Sequence, residues 1–378
     1  MTVHSLTIEA KHRQMPGYLA SLADFSLSTG AAVNADIVLN QPNLSLYCLD
    51  DAQKRAIFVE LPPDVDLAMA PFVYQTQYEQ AQRLIAVPYE TFRQLAHALP
   101  EVQHLIVIYI SGRSGSTLLS HVFNALDSVR SLAEPDVATQ FVHLRRADEQ
   151  RDAELRNLLD CTVRFLCKPT PFKTPSTYAL KLRNEGLQVM DLFQTTFPQA
   201  KNLFLYRDAV GFVASFYRLF KLVDMPEQMP MGEWRALFSQ LINEDFTHMS
   251  AYLDAGVAEV SLPQHLALWW LAIMEWYLAQ YSQGIPILAV RYADLTAARE
   301  RVLSAVFRYC GLPPAAVAET LGVFARDAQA GTLLARVNPA EGNQLRLSEA
   351  QLREISTILQ RHPVVKDSDF IAPGTFHV

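Results

Sequence analysis

Leu105-Ile106-Val107-Ile108-Tyr109-Ile110-Ser111-Gly112-Arg113-Ser114-Gly115-Ser116-Thr117-Leu118-Leu119 is the stretch on which the fold turns. Leu105 to Ile110 form a continuous apolar run of the kind buried on both faces in a parallel strand. A Gly/Ser-rich loop follows at once and runs into a helix. Successive backbone N–H groups at such a junction, with the positive end of the helix dipole behind them, make a cradle for an anion. Gly112 and Gly115 let the backbone turn tightly and approach a ligand. Ser114, Ser116 and Thr117 add hydroxyl donors, and Arg113 adds a cation.

Working outward, Asn202 to Tyr206 is a second candidate buried strand. It leads into Arg207-Asp208 and a helix expected from about Val210 to Leu219, on which Ser215 sits. A guanidinium at the strand end and a hydroxyl on the following helix are placed to hold one phosphate between them. Tyr178 to Leu182 and Ile285 to Arg291 read as further strands. Strands alternating with helices predict a mostly parallel sheet covered on both faces.

The rest of the chain is of a different character. Leu44 to Leu49 and Ala56 to Leu61 alternate around an Asp50-Asp51 turn and predict a β-hairpin, bounded by Pro62-Pro63. Val73 to His97 reads as helical with an interruption at Pro88. Between Asp224 and Gln283 the sequence reads as helical and rich in Met, Phe, Trp and Tyr. There Trp269, Trp270, Ile273, Trp276 and Tyr277 share one helical face, which is core or the wall of an apolar pocket. The expected organisation is an N-terminal α+β extension over residues 1–100 and a main domain over 101–378, with a helical insert at about 221–283 on the acceptor side.

Composition narrows the functional classes. Half of the 378 residues are hydrophobic and 19% are charged, enough for a buried core and against a disordered chain. Lys and Arg number 32 against 39 Asp and Glu, a formal charge of −7, so nucleic acid is not an expected partner. Cys48, Cys161, Cys167 and Cys310 form no C-x-x-C pair, which predicts reduced, mostly buried thiols in a reducing compartment rather than a disulfide framework or a metal site. Met1 to Gln14 has no apolar stretch and so predicts no leader. The longest apolar run, Leu266 to Met274, is far short of the roughly twenty residues that span a bilayer. A cytoplasmic location is the expectation.

The loop is not a nucleotide-triphosphatase loop of the form G-x-x-x-x-G-K-[ST], because Ser116-Thr117 follow Gly115 and the lysine is missing. The order of motifs instead resembles the sulfotransferase family that uses 3′-phosphoadenosine 5′-phosphosulfate. In that family an R-S-G-[ST]-T-L loop grips the 5′-phosphosulfate, which here implies Gly112, Arg113, Ser114, Gly115, Ser116 and Thr117. An R-D-P…S element grips the 3′-phosphate, which implies Arg207 and Ser215. Val290-Arg291-Tyr292 followed by Ala293-Asp294-Leu295 is similar to the family's V-R-Y-E-D-L stretch. The resemblance covers roughly Leu105 to Leu312 and leaves residues 1–100 aside. It implies a P-loop-like parallel sheet flanked by helices, the phosphosulfate nucleotide as donor co-substrate, and no metal. Two departures stand out: Ala209 replaces the family's Pro, and a C-terminal R-K-G-x-x-G loop is not evident, leaving Arg336 as a candidate for its phosphate contact.

Sulfuryl transfer to a hydroxyl needs in-line placement, a base for the acceptor proton and cations at the leaving oxygen. Glu134, in Leu132-Ala133-Glu134-Pro135, lies just beyond the helix that the loop starts. Its offset from Arg113 is similar to that of the catalytic glutamate in tyrosylprotein and related carbohydrate sulfotransferases, and burial there would raise its basicity. His143 is the alternative base. Arg113 with a lysine supplies the cations. Lys173, in a K-T-P segment similar to the family's, is the chosen lysine, with Lys168 and Lys181 as alternatives.

The aromatic insert points to a small apolar or aromatic hydroxyl compound as acceptor. Two other readings stay open at this point: a P-loop kinase or hydrolase with an altered loop, and a non-catalytic nucleotide-binding relative.

Overall fold

A computed structural model of the chain describes residues 2–13, 17–242, 247–325 and 346–378. It falls into two compact units: Met1–Val107 with Ser120–Lys201, and Ile108–Leu119 with Asn202–Val378.

The strands are β1 (Thr2–Lys11), β2 (Phe25–Asn34), β3 (Leu44–Asp50), β4 (Arg55–Glu60), β5 (Arg83–Pro88), β6 (Leu105–Ile110), β7 (Val129–Ala133), β8 (Thr177–Lys181), β9 (Lys201–Tyr206), β10 (Gln228–Pro230), β11 (Glu259–Ser261) and β12 (Ile287–Arg291). The first five form an antiparallel sheet in the order β2-β1-β5-β4-β3. The hairpin expected at Leu44–Leu61 is present as β3 and β4, with Leu44 opposite Glu60.

The expectation of helix from Val73 to His97 is corrected there. Helices run Val73–Gln80 and Tyr89–His97, but Arg83–Pro88 between them is a strand. Leu84, Ile85 and Val87 are wholly buried in the sheet between β1 and β4. A short apolar run looks alike in either state, and pairing on both edges decides for strand. Behind this sheet Phe58, Phe92 and Phe165 form an aromatic cluster, with Phe165 at 4.9 Å from Phe58 and 5.1 Å from Phe92 between ring centres.

The second five-stranded sheet has the order β12-β9-β6-β8-β7. β12 pairs with β9 in parallel, Ile287 opposite Asn202, and β7 pairs with β8 in parallel, Val129 opposite Thr177. Every residue of β6 is buried, as its unbroken apolar sequence requires. With helices following the strands, this is the parallel α/β sheet expected from the sequence.

The Asp224–Gln283 stretch is not helical throughout. β10 and β11 pair as a small antiparallel ribbon around the Met231–Ile242 helix. The Leu262–Ser282 helix is started by a capping box, Ser261 with Gln264, and by Pro263 in its first turn. Trp270, Ile273 and Tyr277 on it are fully buried and Trp269 nearly so. The aromatic stripe is therefore mostly core.

Candidate active site

In the second unit, β6 delivers the chain to the loop and the Ser116–Asn124 helix carries it away. Gly112 (φ 80°), Arg113 (φ 53°) and Gly115 (φ 80°) all lie in the left-handed region. Successive backbone N–H groups in a turn of this kind form a concave nest for an anion. At Gly115 the space is closed as well: an added Cβ would stand 3.0 Å from the Tyr292 ring. Ser114 is buried, and its hydroxyl has no hydrogen-bond partner among the described residues. A buried hydroxyl without a partner costs free energy unless a ligand or water meets it. The residues of the loop thus fit an anion such as phosphate.

The loop is tied to the end of β9. Ser111 N donates to Leu205 O at 2.9 Å, and Arg207 N donates to Ser111 Oγ at 3.1 Å. Arg113 Nε donates to Ser215 Oγ at 2.8 Å, so the two motifs read separately in the sequence meet directly. The Arg207 guanidinium lies over the Tyr292 ring at 4.8 Å, and its Nε is buried with no hydrogen-bond partner among the described residues. Gly211 makes room for this placement, since a Cβ there would come within 2.5 Å of Arg207 Nε.

Asp208 caps the Ala209–Leu222 helix through Gly211 N at 2.7 Å. Ser368 accepts from Ala209 N at 3.0 Å and Val210 N at 2.9 Å. Ala209, where the family has Pro, uses its N–H in that bond. Trp270 Nε1 donates to Arg207 O at 2.9 Å, an anchoring role for the aromatic helix that the sequence reading did not assign. Arg336 lies outside the described residues.

In the first unit, Ala133 at the end of β7 stands opposite Lys181 at the end of β8. Glu134 N continues the pairing with a bond to Lys181 O at 2.7 Å, and Glu134 itself is left-handed at φ 56°. A glutamate in this conformation is uncommon, and such residues gather at functional sites. Glu134 Oε1 lies 2.8 Å from Lys181 Nζ, with the lysine side chain 1% exposed and the glutamate 13%. Glu134 is therefore not buried alone, as the burial argument supposed, but paired with an ammonium.

The three lysines separate by their partners. Lys173 Nζ donates to the carbonyls of Asn124 (3.0 Å) and Leu126, where it closes off the end of a helix. Lys168 Nζ is buried among the carbonyls of Val38, Gln41 and Leu44, and burial brings its pKa down to about 8. Lys181 alone of the three holds Glu134. This moves the lysine of interest from Lys173 to Lys181. His143 Nε2 is buried with no hydrogen-bond partner among the described residues, and burial together with Arg146 lowers its pKa. His121 went unnoticed in the sequence; burial and the Lys181 ammonium lower its pKa, which places it in the same electrostatic neighbourhood.

Asp136 and Arg183, two residues beyond Glu134 and Lys181, form a buried bidentate pair at 2.7 and 2.8 Å. Nothing in the local sequence marked them.

All four cysteines are buried, and none of them forms a disulfide with another. Among the described residues, no helix is long and apolar enough to cross a membrane.

Residues 104–324 match the family model described as the sulfotransferase domain. No curated protein matches the chain. Among solved structures, sulfotransferase STF9 from Mycobacterium avium is similar at 13% identity and a TM-score of 0.40, over 73% of this chain and 80% of that one. The sulfotransferase domain from the curacin biosynthetic pathway is similar at 17% identity and a TM-score of 0.37, over 67% of this chain and 90% of that one.

Proposed function

We propose that this chain, which belongs to the sulfotransferase domain family, transfers a sulfuryl group from 3′-phosphoadenosine 5′-phosphosulfate to the hydroxyl of a small apolar or aromatic compound. The observation that carries the donor half is the loop Gly112–Gly115, left-handed at Gly112, Arg113 and Gly115, whose Ser114 hydroxyl has no partner among the described residues and which is joined to Arg207 and Ser215. When bound, the nucleotide supplies the activated sulfuryl group. The backbone N–H groups of the loop, with Ser114, Ser116 and Thr117, bind its 5′ end. Arg207 and Ser215 bind its 3′-phosphate, and Arg113 bridges the two through its bond to Ser215.

The proton is the task of Glu134. As the acceptor oxygen bonds to sulfur, its proton passes to the Glu134 carboxylate, and the sulfur's bond to the bridging oxygen breaks. Lys181 holds the carboxylate, and its ammonium, together with Arg113, offsets negative charge that develops on the bridging oxygen. His143 is the base to test should Glu134 fail. The main domain over 101–378 carries this chemistry, and the net charge of −7 favours an acceptor that is not strongly anionic. A cytoplasmic setting suits cysteines that form no disulfide with one another.

The test is direct. The protein is incubated with the phosphosulfate donor and a panel of hydroxylated phenols, sterols and alcohols, and each product is read by mass. Gain of one sulfuryl group on an acceptor supports the reading. Stronger thermal stabilisation by ATP with magnesium than by 3′,5′-adenosine bisphosphate would point instead to a kinase or hydrolase.

A further inference from the structure

The N-terminal extension lies outside the residues matched to the family, 104–324, yet it makes specific contacts with the Glu134–Lys181 pair. Phe72, at the start of the Val73–Gln80 helix, places its ring 5.4 Å from the Lys181 ammonium. Both side chains are buried, so this cation–π contact is desolvated. Two residues on, the Tyr74 ring is met by two guanidinium groups, Arg183 at 4.1 Å and Arg13 at 4.9 Å from its centre.

Arg183 in turn forks onto Asp136, whose Oδ2 also accepts from Ala20 N at 2.8 Å and faces Arg13 Nη2 at 3.4 Å. Arg183 Nη1 donates to Gly17 O at 2.7 Å. Asp136 is wholly buried. One clamp, made of Arg13, Gly17, Ala20, Phe72 and Tyr74, thus grips the residues that follow both Glu134 and Lys181, and touches the lysine itself.

We infer that the N-terminal extension is a positioning element of the transfer centre, with Phe72 orienting the Lys181 ammonium against Glu134 and the Asp136–Arg183 clamp fixing the two segments that carry the pair. This rests on the roles proposed above for Glu134 and Lys181. The energetic logic follows from burial. A lysine head removed from water needs its direction set by partners, and a ring face together with a carboxylate sets it. Loops that carry reacting groups must be held to a fraction of an ångström, and a buried bidentate pair between them does so.

The test compares Phe72→Leu, Phe72→Tyr and Phe58→Leu in the full chain, with 2-naphthol as the probe acceptor. Phe72→Leu keeps apolar bulk and removes the ring. It is expected to lower kcat roughly three- to thirtyfold, the range a desolvated cation–π contact supports. Affinity for 3′,5′-adenosine bisphosphate should stay within about twofold, since a clamp on Glu134 and Lys181 does not act on the nucleotide. Phe72→Tyr keeps the ring and should restore kcat. Phe58→Leu opens the aromatic cluster of the same sheet and should lower Tm at least as much, with kcat kept.

A second readout needs no turnover. In protein carrying 13C-labelled lysine, the Lys181 ε-methylene signal, assigned by its absence in Lys181→Arg, should lie upfield and return to the ordinary lysine position in Phe72→Leu. Wild-type kcat in Phe72→Leu, or equal kcat losses in Phe72→Leu and Phe58→Leu, would overturn the inference. So would a Lys181 signal that Phe72→Leu does not move. If the wild-type protein neither binds the bisphosphate nor transfers sulfuryl, the proposed function fails, and the Lys181 signal then decides whether Phe72 orients that lysine.

Discussion

Glu134 and Lys181 are joined twice: Glu134 N donates to Lys181 O at 2.7 Å, and the Glu134 carboxylate meets the Lys181 ammonium at 2.8 Å. The first bond extends the β7–β8 pairing by one residue, and the second uses that register to bring the side chains together. The left-handed conformation of Glu134 turns the chain immediately before Pro135, where an extended strand would otherwise continue. Backbone and side chain therefore specify the same pair.

Replacing Lys181 separates its role from that of Lys173. Lys181→Met should reduce turnover by about 10²–10³-fold, the usual effect of losing one charge-stabilising group at a reacting oxygen. It should also destabilise the fold, because Glu134 is left without its cation. Lys181→Arg keeps the charge and should retain more of both. Lys173→Met removes bonds to two backbone carbonyls and should lower stability by about 1–2 kcal/mol with turnover little changed. Steady-state rates and melting curves on the three variants check this.

Arg207→Ala should weaken donor binding through the 3′-phosphate. A charge-assisted bond contributes about 1.5–3 kcal/mol, which corresponds to roughly ten- to a hundredfold in affinity. The loss should be much smaller for adenosine 5′-phosphate, which has no 3′-phosphate. Calorimetry with 3′,5′-adenosine bisphosphate and adenosine 5′-phosphate gives both numbers. Equal losses for the two would remove Arg207 from the 3′-phosphate.

Glu185 gives a pH dependence of stability. Its carboxyl is buried at 2% exposure, and burial raises its pKa from 4.5 to about 7, Arg183 opposing the shift. The folded state therefore holds a proton that the unfolded state releases. That contribution is present below the unfolded value and is lost as pH rises through about 7. Glu185→Gln should flatten this fall, so that the variant gains on wild type by something on the order of 1–3 kcal/mol between pH 5 and 8. Urea midpoints at the two pH values test it.

The Gly112–Gly115 loop was legible because its signals are local. Leu105–Ile110 is apolar without a break, the glycines fall at the turns, and Arg207 and Ser215 sit in one strand–helix unit. Their meeting through Arg113 Nε and Ser215 Oγ was the part that only folding could supply. Strand β5 was obscured because Leu84-Ile85-Ala86-Val87 is too short to show a period, and its state is decided by β1 and β4 on either side. β1 was missed because few of its residues are buried, so no clean alternation marks it.

Lys181 was only one of three lysines in the sequence. What distinguishes it is the parallel register that sets it opposite Ala133, beside Glu134. Asp136 and Arg183 pair across 47 positions of chain, and no local pattern announces such a contact.

The most direct measurement of the central claim, sulfuryl transfer with Glu134 as base, is the rate ratio of wild type to Glu134→Gln across acceptors of falling hydroxyl pKa, at constant donor. With an aliphatic alcohol the ratio is expected to be about 10²–10⁴, the contribution of a positioned general base. With an acidic phenol such as 4-nitrophenol, already ionised near neutral pH, the ratio should fall towards one, while the affinity for 3′,5′-adenosine bisphosphate stays that of wild type. A Glu134→Gln protein with full activity on the un-ionised alcohol, or an equal loss on both acceptors, would contradict it.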